Sequence, residues 1–147
     1  MEYWKLPPRV KVLEALGAIA DNRVKMINEY EAYVSSSLGD RVYRVRWDGD
    51  KGITSDDNGS VYRGYLGYPS IAFLMLKGVL PYDEEIARAI KGIRWREVNE
   101  RFKRYLLVEE YVKEVAEKRG ISKDKVGKFV ENVIKEIREK RFYKIKP

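Results

Sequence analysis

The spacing of apolar residues along this chain changes several times, and each change predicts a change of element. Behind Pro7-Pro8, the residues Val10, Leu13, Leu16/Gly17 and Ala20 recur at threes and fours, which predicts a helix from Arg9 to Ala20. The period then shortens. Arg23–Asn28, Glu31–Ser36 and Val42–Trp47 have strand character. In the last of these Tyr43, Val45 and Trp47 alternate with Val42, Arg44 and Arg46, as a half-buried strand requires. Leu38-Gly39-Asp40 and Asp48-Gly49-Asp50-Lys51-Gly52 supply turns. Asn58-Gly59 predicts a two-residue hairpin joining Ile53–Asp56 to Val61–Tyr62.

From Pro69 onward the helical period returns. Ser70–Lys77 is apolar on all sides and predicts a helix inside a core, ended by Gly78. Pro81 opens a second helix through Asp83–Lys91, and Gly92 breaks it. Trp95 to Arg119 reads as one long amphipathic helix, with Val98, Phe102, Tyr105, Val108, Val112 and Val115 spaced by fours and threes. Ser122 then caps a last helix carrying Val126, Val130, Val133 and Ile137, and the tail from Arg141 is basic and aromatic. The expected fold class is α+β: an antiparallel meander of three to five strands packed with helices, followed by a C-terminal helical hairpin or helix-turn-helix. The change of character near Gly92 suggests a core unit over residues 1–92 and a basic helical unit over 93–147, which can also form one domain.

Composition narrows the function classes. Cysteine and histidine are absent, which removes thiol chemistry, disulfides and the commonest general base and metal ligand. Glutamine is absent too, and 36% of residues are charged, a composition resembling that of proteins from hot environments. The longest apolar run, Ile71–Leu76, is far short of the roughly 18 residues that span a bilayer. The start MEYWKLPPRV lacks signal-peptide layout. A cytoplasmic protein with no membrane partner is expected. No Walker loop, dinucleotide fingerprint or nucleophile elbow occurs, so a non-catalytic role without a cofactor is the expectation.

Charge is unevenly placed. Residues 1–85 carry 11 Lys+Arg against 13 Asp+Glu, whereas residues 86–147 carry 19 against 10. Excess cations in one segment are the footprint of a polyanion-binding surface. Within that segment Ala116, Gly120 and Val126 have the Ala-x₃-Gly-x₅-Val spacing of a helix-turn-helix, with apolar Ile121 and Phe129 in support. Residues 112–130 thus resemble that DNA-binding motif. The resemblance implies a second helix entering the major groove of duplex DNA, with Ser122, Lys123, Lys125 and Lys128 facing the phosphates. The same spacing suits a plain hairpin of two long helices, whose heptad-like seams would make a dimer interface.

Val42–Trp47, Thr54-Ser-Asp-Asp and Gly67-Tyr-Pro-Ser-Ile-Ala72 resemble the strand-strand-helix layout of a SWIM zinc module. All its zinc-ligand places hold Ser, Asp or Tyr here, so the resemblance implies a backbone shape and no metal. Asp48, Asp50, Asp56 and Asp57 read as turn formers, since glycine falls one place early for a calcium loop. The glycine- and tyrosine-rich segment Ser60–Pro69 is a candidate ligand or contact surface through Tyr62, Arg63, Tyr65 and Tyr68. Three functions follow in order: a non-catalytic nucleic-acid-binding protein acting as a small DNA-associated regulator; an interaction or dimerisation module; and a small-molecule-binding domain using the tyrosine-rich segment.

Overall fold

A computed structural model describes residues 1–146. Helix α1 (Val10–Ala20) is buried at Val10, Val12, Leu13, Ala15, Leu16 and Ala18, and also at Glu14 and Gly17. Its apolar residues are too widely distributed for one stripe, so it needs neighbours on several sides. It has them: α2 (Tyr68–Leu76), α3 (Glu84–Ala89), α5 (Tyr105–Lys118) and α6 (Lys123–Lys140) all pack against it. Helix α4 (Trp95–Phe102) reaches it through Trp95, whose indole covers Gly17 so closely that an added Cβ would lie 2.5 Å from Nε1.

The sheet lies beyond α2. Strands β1 (Val24–Asn28), β2 (Glu31–Ser35), β3 (Val42–Trp47) and β4 (Gly52–Ser55) form an antiparallel meander in the order of the sequence. Ala32 faces Val45 and Val34 faces Tyr43 across β2 and β3. Ala32, Val34, Val45 and Ile53 are fully buried, and the sheet meets α2 through a Trp47–Phe73 contact at 5.7 Å between ring centroids. A fifth strand, β5 (Tyr143–Lys144), pairs parallel to β4 through Gly52–Tyr143 and Ile53–Lys144. The fold is α+β with a mixed sheet, and a single hydrophobic cluster runs from Val10 to Phe142 across residue 92.

Three expectations need correction. Residues 59–63 form a π-helical turn and not the second strand of a hairpin. Asn58 sits at φ −57°, ψ −42°, in the right-handed region, whereas the expected hairpin turn needs positive φ at both central residues. Gly59 is required there for a different reason: any Cβ would enter the ring of Tyr65. The long helix from Trp95 is broken into α4 and α5 by Lys103, which is left-handed at φ 58°. Phe102 then folds back onto Tyr111, with ring centroids 5.4 Å apart. Helix α3 begins at Glu84, where the carboxylate of Asp83 accepts the Ile86 amide at 2.9 Å.

Charge pairing ties the layers together. Glu109 on α5 is 5% exposed and accepts two hydrogen bonds, both 3.1 Å, from Arg9 at the start of α1. Lys113 lies 3.0 Å from the same carboxylate. Burial alone would raise the pKa of Glu109, but the donors Arg9 and Lys113 outweigh it and hold the carboxyl below its usual range. Since the folded value is depressed, this contribution is present above the unfolded pKa of about 4.3 and disappears as pH falls through the folded one. Replacing Glu109 with Gln is expected to cost about 1–2 kcal/mol at neutral pH, because Arg9 is partly exposed and solvent-screened. Urea titrations should show that deficit shrinking as the pH is lowered below about 4. A deficit that stays constant into acid would show that the ion pair is not its source.

Candidate functional site

Between α1, the β2–β3 connection, the loop after β4, the start of α2 and α4 lies a cavity of about 360 Å³. That volume suits a small metabolite. Five separate segments supply its wall, and most of the residues they bring are polar.

Helix α1 contributes Lys11 and Glu14, one turn apart on the same face. The Glu14 carboxylate is 4% exposed, with Oε2 accepting from Lys11 Nζ at 3.0 Å and Oε1 from Asn99 Nδ2 of α4 at 2.9 Å. Burial would lower the pKa of Lys11, yet Glu14 beside it overrides that and raises it, so Lys11 stays a cation. Lys11 also lies 5.9 Å from the ring centre of Tyr105.

The opposite wall holds Asp57, 5% exposed, at the amino end of α2. No cation faces it. Instead Ser55 Oγ donates at 2.6 Å, Ser60 Oγ at 2.8 Å and the Ser60 amide at 3.2 Å, while Ser70 Oγ donates to Ser55 Oγ at 2.9 Å. The carboxylate is pressed against Gly67, the N-cap of α2, so the positive end of the helix dipole faces it. Hydroxyls and a helix terminus thus do the work a counter-ion would otherwise do. They also explain the π-helical turn, which carries Ser60 down to Asp57.

Tyr43, Tyr65 and Tyr68 line the space between the two carboxylates. Tyr43 and Tyr68 meet edge to face at 6.2 Å. Burial pushes the hydroxyls of Tyr65 and Tyr68 up to about 12, and raises that of Tyr43 as well, so all three remain protonated donors at neutral pH. Two buried N–H groups of lining residues, Arg23 Nε and Trp95 Nε1, have no hydrogen-bond acceptor among the described residues; Arg23 Nε lies 4.0 Å from Asp21 Oδ2, and Trp95 Nε1 packs on Gly17. Arg23 is otherwise held by its Nη1 donating to the Ser35 carbonyl at 2.7 Å.

The sequence-predicted tyrosine-rich surface therefore divides. Tyr65 and Tyr68 face the cavity, whereas Tyr62, 79% exposed, and Arg63 stand outside it on the π-helical turn. Lys11, Glu14, Arg23 and Asn99 were not predicted. The one available signal was a Lys-x₂-Glu pair inside an otherwise apolar helix.

The expected DNA-facing residues lie elsewhere, around the turn between α5 and α6. Ser122 caps α6 by accepting from the Lys125 amide at 3.1 Å. Each lysine meets a carboxylate of its own chain: Lys123 with Glu110 at 2.8 Å, Lys125 with Glu85 at 3.2 Å and Lys128 with Asp124 at 3.0 Å. The apolar residues of α6, namely Val126, Val130, Val133 and Ile137, are buried inside the chain. Asp48 accepts from the amides of Asp50 and Gly52 and from the Tyr143 hydroxyl at 2.6 Å, while Asp56 takes the Arg44 amide. Among the described residues no three carboxylates converge as a metal site would need, and no helix is long and apolar enough to cross a membrane.

The chain belongs to the family described as uncharacterised conserved protein UCP014422, whose model matches residues 4–143. No curated protein and no solved structure was found to match it.

The Asp57 cradle makes a sharp prediction. Gly67→Ala would drive a methyl group into the carboxylate, which is fixed by three donors and cannot retreat into solvent. A loss of about 1–3 kcal/mol in chemical denaturation is expected. Unchanged stability would mean that the contact between α2 and Asp57 is looser than described.

Proposed function

We propose that this family member is a small-molecule-binding domain whose ligand occupies the α1–α2–α4 cavity and presents oxygen acceptors to its wall. One observation carries the reading: the donors and acceptors of the lining are out of balance. Glu14 and Asp57 are already filled by internal donors. The tyrosine hydroxyls remain protonated, and among the described residues Arg23 Nε and Trp95 Nε1 are buried without a hydrogen bond, the nearest carboxylate to Arg23 Nε being Asp21 at 4.0 Å. A buried donor left unmet is costly, so such a wall favours a guest rich in carbonyl, hydroxyl or acidic oxygens.

The duplex-DNA reading has weaker support. Its basis is the cationic excess of residues 86–147. Phosphate would have to displace Glu110, Glu85 and Asp124 from the three lysines assigned to it. A dimer through the seam of α6 has less support still, since that seam packs within the chain.

The three tryptophans provide the test. Trp4 Nε1 donates to the Ile53 carbonyl and Trp47 Nε1 to the Asp50 carbonyl, both at 2.8 Å, whereas Trp95 is a residue of the cavity wall whose Nε1, packed on Gly17, has no acceptor among the described residues. In an ¹⁵N–¹H spectrum, titration with a panel of hydroxy acids, sugars and sugar phosphates should move the Trp95 indole signal saturably. The other two should stay still. Affinity should hold up to about pH 10, where a free tyrosine is half ionised, because burial pushes Tyr65 and Tyr68 up to about 12. If no compound in the panel moves Trp95, or if all three indoles move together, the cavity is not a binding site.

A further inference from the structure

A second feature, next to the cavity's Lys11 through Tyr105 but facing outward, lies at the corner between α4 and α5. The sequence there is Arg101-Phe-Lys-Arg-Tyr-Leu-Leu107. Tyr105 is 53% exposed, Leu106 77% and Leu107 47%, three consecutive large residues in the first turn of a helix. Ordinary surfaces scatter such residues singly, and a contiguous group calls for a partner.

Charge says what kind of partner. Between Glu100 and the apolar turn stand three cations and no carboxylate. Nearby Arg94 and Lys113 are ion-paired to Glu97 and Glu109. Among the described residues, no carboxylate is in ion-pair contact with Arg101, Lys103 or Arg104. Other cations among those residues also lack an ion pair; what sets the corner apart is that three of them fall within four residues beside an exposed apolar turn. Helix α5 has no acidic residue in its first turn and no side-chain cap, so its positive dipole end adds to the same field. Lys103 occupies the left-handed region at φ 58°, where glycine or asparagine would be less strained, and so projects a cation from the bend itself.

We propose that this corner docks on an anionic lipid surface, with Leu106, Leu107 and Tyr105 entering the headgroup layer and Arg101, Lys103 and Arg104 meeting acidic headgroups. The high exposure of consecutive residues at a helix bend makes the feature a protrusion, and a fluid interface accepts a protrusion without a matching groove. A second copy of the chain is disfavoured, since a two-fold contact would set the three cations against their own equivalents. Hydropathy windows sense spans and not corners. Docking at a surface departs from the expectation of no membrane partner, which rested on the lack of a bilayer-spanning run.

Vesicle co-sedimentation decides the matter, using phosphatidylcholine alone and phosphatidylcholine mixed with phosphatidylserine. The protein should pellet with the mixed vesicles only, and release as salt is raised. Leu106→Ser with Leu107→Ser should weaken binding about tenfold or more. Changing Arg101, Lys103 and Arg104 together to Gln should weaken it on the order of a hundredfold. All five side chains are exposed, and near-ultraviolet circular dichroism would verify that the variants fold. Absence of binding to the mixed vesicles overturns the proposal, as does equal binding by the leucine variant. So does a dimer in solution that Leu106→Asp dissociates, because the patch would then be a self-interface.

Discussion

The burial of helix α1 on nearly every side is the constraint from which the rest follows. Four helices pack on it and α4 reaches it through Trp95, so Ala15, Gly17 and Ala18 must be small where neighbours come close, Trp95 above all. A carboxylate on such a helix cannot reach water. Glu14 is therefore met by Lys11 from its own helix and by Asn99 from α4. This pairing draws polar residues into the middle of the molecule and opens the polar wall of the cavity. The cavity is a by-product of solving a burial problem in the central helix.

The same logic governs charge elsewhere. Arg9, Glu109 and Lys113 link α1 to α5, while Lys123 and Lys125 link α6 to α5 and to the first turn of α3. A count of lysines and arginines along residues 86–147 makes the segment look like a polyanion surface. In three dimensions the candidate lysines point at carboxylates, several drawn from distant turns. Excess cation survives where no carboxylate is at hand, as at Arg101, Lys103 and Arg104.

Much of the fold was legible because local pattern and tertiary role agree. The apolar spacing of Val10 to Ala20, the alternation of Val42 to Trp47 and the Ser122 cap each state in sequence what the structure does. Failures came where a tertiary demand overrode a local signal. Asn58-Gly59 is a strong hairpin signal, but its glycine answers the Tyr65 ring, and its chain bends into a π-helical turn that delivers Ser60 to Asp57. Lys103 carries no breaker signature, since lysine is an ordinary helix former. The cavity was half legible. Tyr65 and Tyr68 stood out by composition, whereas Glu14, Arg23 and Asn99 come from three elements that only folding brings together.

Strand β5 has a kinetic consequence. The meander β1–β4 closes by adjacent pairings, each available as soon as its own turn forms. Pairing of β4 with β5 is parallel and must wait until every helix between them has taken its place. Loop closure of that length is slow, and two residue pairs return little for it. The amides of Tyr143 and Lys144, bonded to the Lys51 and Glu2 carbonyls, should accordingly be among the last to gain protection during refolding and among the first to exchange in the native state. The sheet then has one permanent side and one that behaves as a latch, fastened only after the helical layer is complete.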